Sequence, residues 1–201
     1  MATSRGKSRE LRIIAGTWRG RRLRFPEGPE IRPTPDRVRE TLFNWLAPRI
    51  HGARVLDLFA GSGALGLESL SRGASHVLFV DSDSRAIEAL RELLAEWGAA
   101  APQAELRRAD ALRLLDAPRP AGQPPFDIVF IDPPFAAGLW AAIALRLQRG
   151  NWLAPGAFIY FEAPAREPLA DLPPSWVRWR EGSAGEVGYH LLRTPDTTGE
   201  T

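Results

Sequence analysis

The chain has no cysteine, and its 201 residues include one methionine and three histidines. Without cysteine there can be no disulfide, thiolate metal site or cysteine nucleophile. His51, His76 and His190 are scattered through the sequence and give no metal-ligand spacing, so no metal is expected. Lysine is almost missing too, because every basic residue except Lys7 is arginine. No apolar run approaches the roughly 18 residues of a membrane span, and no apolar signal region follows the basic start MATSRGKSRE. A soluble cytoplasmic protein with no membrane partner is the expectation.

Hydrophobic residues make up 44% of the chain, enough to fill the core of one domain. Net charge is +2 but unevenly spread: residues 1–50 hold twelve basic and five acidic residues, the remainder fourteen and nineteen. Arginine can chelate phosphate with two donors, so a polyanion docking near the N-terminal end is expected. A solvated basic arm is the competing explanation.

LRIIAGTWRGRRLRF (11–25) reads as two short strands joined near Gly16. After the proline-rich PEGPEIRPTPDR, VRETLFNWLAPRI reads as an amphipathic helix with Val38, Leu42, Trp45 and Leu46 on one face. From Ala53 the pattern alternates. ARVLDLF, SHVLFVD, AELRRAD, FDIVFID and AFIYFEA read as strands, with ALGLESLSRG, SRAIEALRELLAEW, ALRLLDA and LWAAIALRLQR as helices between them. WVRWREG and EVGYHLLR form a closing antiparallel pair, and TPDTTGET is a frayed tail. Alternating strands and helices, several strands apolar throughout, imply an α/β, Rossmann-like parallel sheet covered on both faces. Ligands of such sheets bind beyond the carboxyl ends of the strands, where Asp57, Asp81, Asp110 and Asp132 stand.

DLFAGSGALG contains Gly61-x-Gly63-x-x-Gly66 between a strand and a helix, the context of a nucleotide-binding turn. Gly61 and Gly63 let backbone approach a ligand, Gly66 packs helix on strand, and Asp81, twenty residues after Gly61, can accept from two ribose hydroxyls. NAD proteins and S-adenosylmethionine (SAM) methyltransferases both hold a ribose this way. Asp57 ahead of the glycines would repel a pyrophosphate but is compatible with a sulfonium amino acid, whose ammonium it could approach directly or through water. Asp110 can accept from an adenine amino group or cap the following helix. In IDPPF, Asp132 and a proline carbonyl could accept hydrogen bonds from a base while Phe135 offers a stacking face; a plain turn is the bland alternative.

DLFAGSGALG, FVD, ADAL and IDPPF resemble the SAM, ribose, adenine and catalytic motifs of class I amino-methyltransferases. RIIAGTWRGRRL followed by RPTPDRVRETLFNWL narrows the resemblance to the bacterial small-subunit ribosomal RNA methyltransferase D family, over about Arg12 to Leu192. The resemblance implies a seven-stranded class I fold with helices on both faces. Residues 1–35 would be a basic hairpin extension and linker, 36–193 the methyltransferase domain and 194–201 a flexible tail. It implies SAM as methyl donor, S-adenosylhomocysteine as product, and a guanine N2 of 16S rRNA as target, guanine 966 in that family. The substrate would be a 30S particle or its assembly intermediate, and the enzyme a monomer. Cofactor contacts are implied at Asp57, Phe59, Gly61, Gly63, Asp81, Asp110 and Ala111, and catalytic ones at Asp132, Pro133 and Phe135. Arg19, Arg21, Arg22 and Arg24 would bind RNA. Arg32, Thr34 and Arg37 would contact RNA phosphates or the SAM carboxylate, against a plain helix start capped by Thr34 or Asp36.

The chemistry accounts for IDPPF. An exocyclic amine conjugated to its ring is a poor nucleophile. Acceptors for both N–H bonds, the Asp132 carboxylate and the Pro133 carbonyl, favour a pyramidal nitrogen with an available lone pair. Prolines stiffen the loop, and Phe135 can stack on an extruded base. Three alternatives remain: an amino-methyltransferase for another RNA or for DNA, an NAD-dependent oxidoreductase, and a catalytically idle RNA-binding module.

Overall fold

A computed structural model of the chain describes residues 9–25, 36–99, 102–133, 139–165 and 171–196. An antiparallel hairpin comes first, β1 (Arg9–Arg12) and β2 (Arg22–Phe25), then α1 (Asp36–Ile50). The alternating core follows as β3 (Arg54–Asp57), α2 (Ala64–Ser71), β4 (His76–Asp81), α3 (Ser84–Glu96), β5 (Ala104–Arg108), α4 (Ala111–Asp116), β6 (Phe126–Ile131) and α5 (Leu139–Arg149). β7 (Leu153–Pro164), β8 (Val177–Ala184) and β9 (Val187–Arg193) close it. β7 starts earlier than its apolar run suggests, with a register irregularity against β6 between Phe126 and Ile128.

Seven strands form one sheet in the order β5-β4-β3-β6-β7-β9-β8. β3 pairs in parallel with both β4 and β6, so the chain reverses its direction of travel across the sheet between those neighbours. That reversal leaves a crevice beyond the carboxyl ends of β3 and β6. β9 returns antiparallel between β7 and β8.

One sheet face is covered by α1, α2, α3 and the hairpin, which share a core containing Ile13, Leu23, Phe43, Phe79, Leu90 and Phe130. The other is covered by α4 and α5, packed around Val80, Leu115, Val129, Trp140 and Ile143. On α1 the buried set is wider than the expected stripe: Phe43 and Arg39 are inside, and Trp45 is half-buried against Tyr189 with ring centroids 5.5 Å apart. Arg39 donates from Nη2 to the Arg12 carbonyl at 2.8 Å and to Asp36 Oδ1 at 2.6 Å, tying helix to hairpin.

Glu68, fully buried in α2, accepts the Ile14 and Ala15 N–H groups at 2.7 and 3.0 Å and the Arg72 Nε–H at 2.7 Å. Ser71 accepts the Trp18 N–H at 2.9 Å, and Gly16 lies so close that a Cβ there would meet the Ser71 carbonyl oxygen at 1.8 Å. The basic hairpin is thus stapled to the last turn of α2. That turn lies at the amino edge of the sheet, because α2 runs back from the carboxyl end of β3 to the start of β4.

Candidate active site

The glycine loop occupies the space between β3 and α2. Gly61 and Gly63 have φ of 50° and 76°, a region that L side chains rarely adopt. A Cβ on Gly63 would also meet Leu90 Cδ2 at 2.2 Å, and one on Gly66 would meet the Phe79 ring at 2.1 Å. Gly66 therefore allows α2 to lie against β4, as the spacing predicts. The loop is pinned on both sides: Leu58 N–H donates to Phe130 O at 3.1 Å, and Ala60 N–H to Val80 O at 2.9 Å.

α2 has no side-chain cap at Gly63. Its acceptor comes from the strand below, where Asp57 Oδ2 takes the Gly66 N–H at 3.1 Å. This satisfies an amide that a helix start otherwise leaves open. Asp57 is buried, and burial pushes its carboxyl up to about 7, with the Asp81 charge adding to the rise and the Gly66 N–H opposing it. It braces the loop from beneath, and a cation bound above would favour its ionised form.

A raised carboxyl stabilises the fold most in acid and loses that contribution as pH climbs through about 7. Between pH 6 and 8, Asp57 should therefore lower the stability of the cofactor-free protein by on the order of 1 kcal/mol. Thermal denaturation at both pH values should show Asp57→Asn losing less than the wild type over that interval. An equal loss in the two proteins would remove Asp57 as the source.

Asp81 is half-buried at the end of β4. Its Oδ2 accepts the Gly61 N–H at 2.8 Å and its Oδ1 the Asp83 N–H at 2.8 Å. Each carboxylate oxygen has more than one acceptor site, so ribose hydroxyls can still bind there. The glycine loop and Asp81 are thus one unit, a coupling the motif alone does not show. It also bears on the choice of cofactor. A dinucleotide fingerprint uses loop amides for pyrophosphate, but here Gly61 N–H points at a carboxylate and Asp57 sits under the helix start. Two acids in this cradle suit a ligand with cationic sulfonium and ammonium groups.

Asp110 caps α4, its Oδ1 accepting the Arg113 N–H at 2.9 Å, so the capping role is realised. Ala111 is the buried first residue of that helix and Phe59 is half-buried beside the loop. Asp132 and buried Pro133 follow directly after β6, at the crevice. Burial first, then the charges of Glu162 and Asp57, hold the Asp132 carboxyl well above the usual carboxylate range. Phe135, Arg32 and Thr34 lie outside the described residues. Asp36 opens α1, with Arg37 exposed beside it.

Of the hairpin arginines, Arg19, Arg21 and Arg22 are exposed, and the side chain of Arg24 lies outside the described residues. Arg21 lies over the Trp97 ring at 5.5 Å, and Arg22 pairs with Glu10 at 3.2 Å. Two residues escaped the sequence reading. Arg39 lies off the apolar face expected of its helix, and Glu162 lies near the end of the strand AFIYFEA. An acid after the uninterrupted run AFIYF was the available signal for Glu162.

A family profile described as Conserved hypothetical protein 95 matches residues 11–193. The ribosomal RNA small subunit methyltransferase D of Haemophilus influenzae is 44% identical over 184 residues, covering 92% of this chain and 94% of that protein. The Escherichia coli K12 protein of the same name is 45% identical over 186 residues, covering 92% and 91%. The chain belongs to the ribosomal RNA small subunit methyltransferase D family.

A solved E. coli chain, yhhF, matches the fold with a TM-score of 0.84 at 41% identity, covering 94% of this chain and 99% of that one. As a methyltransferase D family member the protein is a SAM-dependent methyltransferase, which excludes the oxidoreductase and idle-module readings. The order of the sheet sets two groups of candidate residues side by side. Gly61, Gly63 and Asp81 stand over β3 and β4, and Asp132 stands over the neighbouring β6. No helix among the described residues is long and apolar enough to cross a membrane.

Proposed function

We propose that the protein methylates the exocyclic N2 of a guanine in 16S rRNA, guanine 966 being the family target. We place the reaction in the cytoplasm, on a 30S particle or its assembly intermediate, with the enzyme acting as a monomer. The observation that supports this reading is the position of Asp132 and Pro133, directly after β6 and beside β3, whose loop carries Gly61 and Gly63. The similarity to small-subunit rRNA methyltransferases supports the substrate class.

Bound SAM supplies an electrophilic methyl group on a positively charged sulfur. The chain supplies alignment and proton handling. The Pro133 carbonyl and the Asp132 carboxylate accept the two N2–H bonds and aim the nitrogen lone pair at the cofactor side of the crevice. As N2 gains the methyl carbon it must shed a proton, and Asp132, whose proton affinity burial raises, is placed to take it. Asp81 holds ribose, and Asp110 and Ala111 border the adenine.

Arg19 and Arg21 sit near the amino edge, while the catalytic loop is at the carboxyl edge. α2 alone, eight residues long, separates those levels by roughly 12 Å along its axis. A ligand touching both must span at least that distance, which favours a polynucleotide over a free nucleotide.

The test compares methylation of assembled 30S particles and naked 16S rRNA, using wild type and a variant with Arg19, Arg21, Arg22 and Arg24 changed to Gln. Faster methylation of particles is expected. The variant should bind RNA more weakly, its log affinity against log salt flatter by about 2–3 units, with SAM affinity unchanged. An unchanged salt slope would reduce these arginines to a solvated face. Equal rates on both substrates would overturn the particle assignment.

A further inference from the structure

We infer that Glu162 is a specificity-determining residue that accepts the N1–H of the target guanine beside Asp132, so that two neighbouring carboxylates read the donor edge of the base. The inference rests on the guanine-N2 reading above and deepens it.

The sheet register carries the geometry. β6 and β7 are parallel, with Phe130 opposite Tyr160 and Ile131 opposite Phe161. One step further along both chains brings Asp132 level with Glu162. Side chains alternate along strands, so both acids stand on the face of Phe130 and Tyr160, whose rings meet edge to face at 6.2 Å. The proximity of Glu162 to Asp132 agrees with its charge being one of the causes that raise the Asp132 carboxyl, after burial. Glu162 is also held in place: Tyr160 OH donates to its Oε1 at 2.8 Å, and Trp140 Nε1–H donates to its carbonyl at 3.0 Å. β7 lies on the far side of β6 from β3 and β4, which sets Glu162 further than Asp132 from the glycine loop of β3 and on the side proposed for the acceptor base.

The chemistry of the bases decides what such a pair selects. Guanine presents adjacent donors, N1–H and the N2 amine, which match two adjacent acceptors. Adenine, or any purine with a lone pair at N1, turns that lone pair toward a carboxylate and leaves it unsatisfied. With Glu162 on N1–H, Asp132 and the Pro133 carbonyl are left to the two N2–H bonds, the arrangement that the reaction needs. A purely structural Glu162 would serve only to anchor Tyr160.

The probe that separates these roles is 2,6-diaminopurine, which keeps the N2 amine but has a lone pair at N1. Ribosomal particles carrying guanine or 2,6-diaminopurine at the target position would be methylated in single turnovers by wild type and Glu162→Gln, with the product site mapped to N2. The Gln side chain keeps an oxygen for Tyr160 and adds an NH₂ that can donate to N1. Wild type should prefer guanine by about a hundredfold or more. Glu162→Gln should slow guanine, quicken diaminopurine, and shrink the ratio by about tenfold or more. A folded Gln variant that binds SAM normally and keeps the wild-type ratio would overturn the role of Glu162. Wild-type label found away from guanine N2 would instead overturn the reading on which the inference rests.

Discussion

Replacing Asp132 by Ala is expected to lower single-turnover methylation by about 10²–10⁴-fold while the fold survives. The carboxylate is assigned an interaction that matters most in the transition state, where N2 becomes pyramidal and sheds its proton, so turnover should fall far more than SAM affinity. Stability should move the other way. Burial and the Glu162 and Asp57 charges raise the Asp132 proton affinity, so this group stabilises the fold in acid and loses that contribution as pH rises. The isosteric Asp132→Asn should therefore match or exceed the wild-type melting temperature at pH 8, with the advantage shrinking toward pH 5. A residue that only shaped the turn would give the opposite pattern, with lower stability and near-normal turnover. Near-wild-type rates for Ala would reduce the loop to a turn.

Asp81→Ala is expected to weaken SAM binding by about 1.5–3 kcal/mol, roughly ten- to 150-fold in Kd, by removing a charged acceptor from two ribose hydroxyls. The structure adds a second consequence. The Gly61 and Asp83 N–H groups lose their acceptor in the same step, so the glycine loop loosens and the melting temperature falls as well. Asp81→Asn separates the two effects, because an amide oxygen can still accept from backbone. It should recover most of the stability but only part of the affinity. Calorimetry showing unchanged SAM affinity in folded Asp81→Ala would refute the ribose assignment.

These variants also mark where sequence reading succeeds. The glycine loop was legible because Gly61, Gly63 and Gly66 are local requirements of one turn, and a turn needs its residues at fixed offsets. Asp81 and Asp132 were legible as strand ends because apolar runs stop at them, and Asp110 because it stands where the alternating pattern turns into a helix it can cap. What Asp57 does was not legible. Its partner, the Gly66 amide, is nine residues away and becomes its neighbour only once α2 folds back over β3. The docking of the hairpin was hidden for a similar reason, since Glu68 reads as one more helical acid until it receives the Ile14 and Ala15 amides from more than fifty residues away. Glu162 needed the register between β6 and β7. Those two strands are joined through a helix, and no short-range pattern in the chain specifies which residue of one stands level with which residue of the other.

In the proposed reaction the Asp132–Pro133 loop presents a guanine N2 to the methyl group of SAM. The most direct test uses SAM carrying an isotopically labelled methyl group, ribosomal particles that lack the modification, and mass spectrometry of the digested nucleosides. The account predicts label in N2-methylguanosine alone, at one position per RNA, formed by wild type and nearly abolished by Asp132→Ala. Label in a methyladenosine, or in N2-methylguanosine at an equal rate with both enzymes, would contradict it.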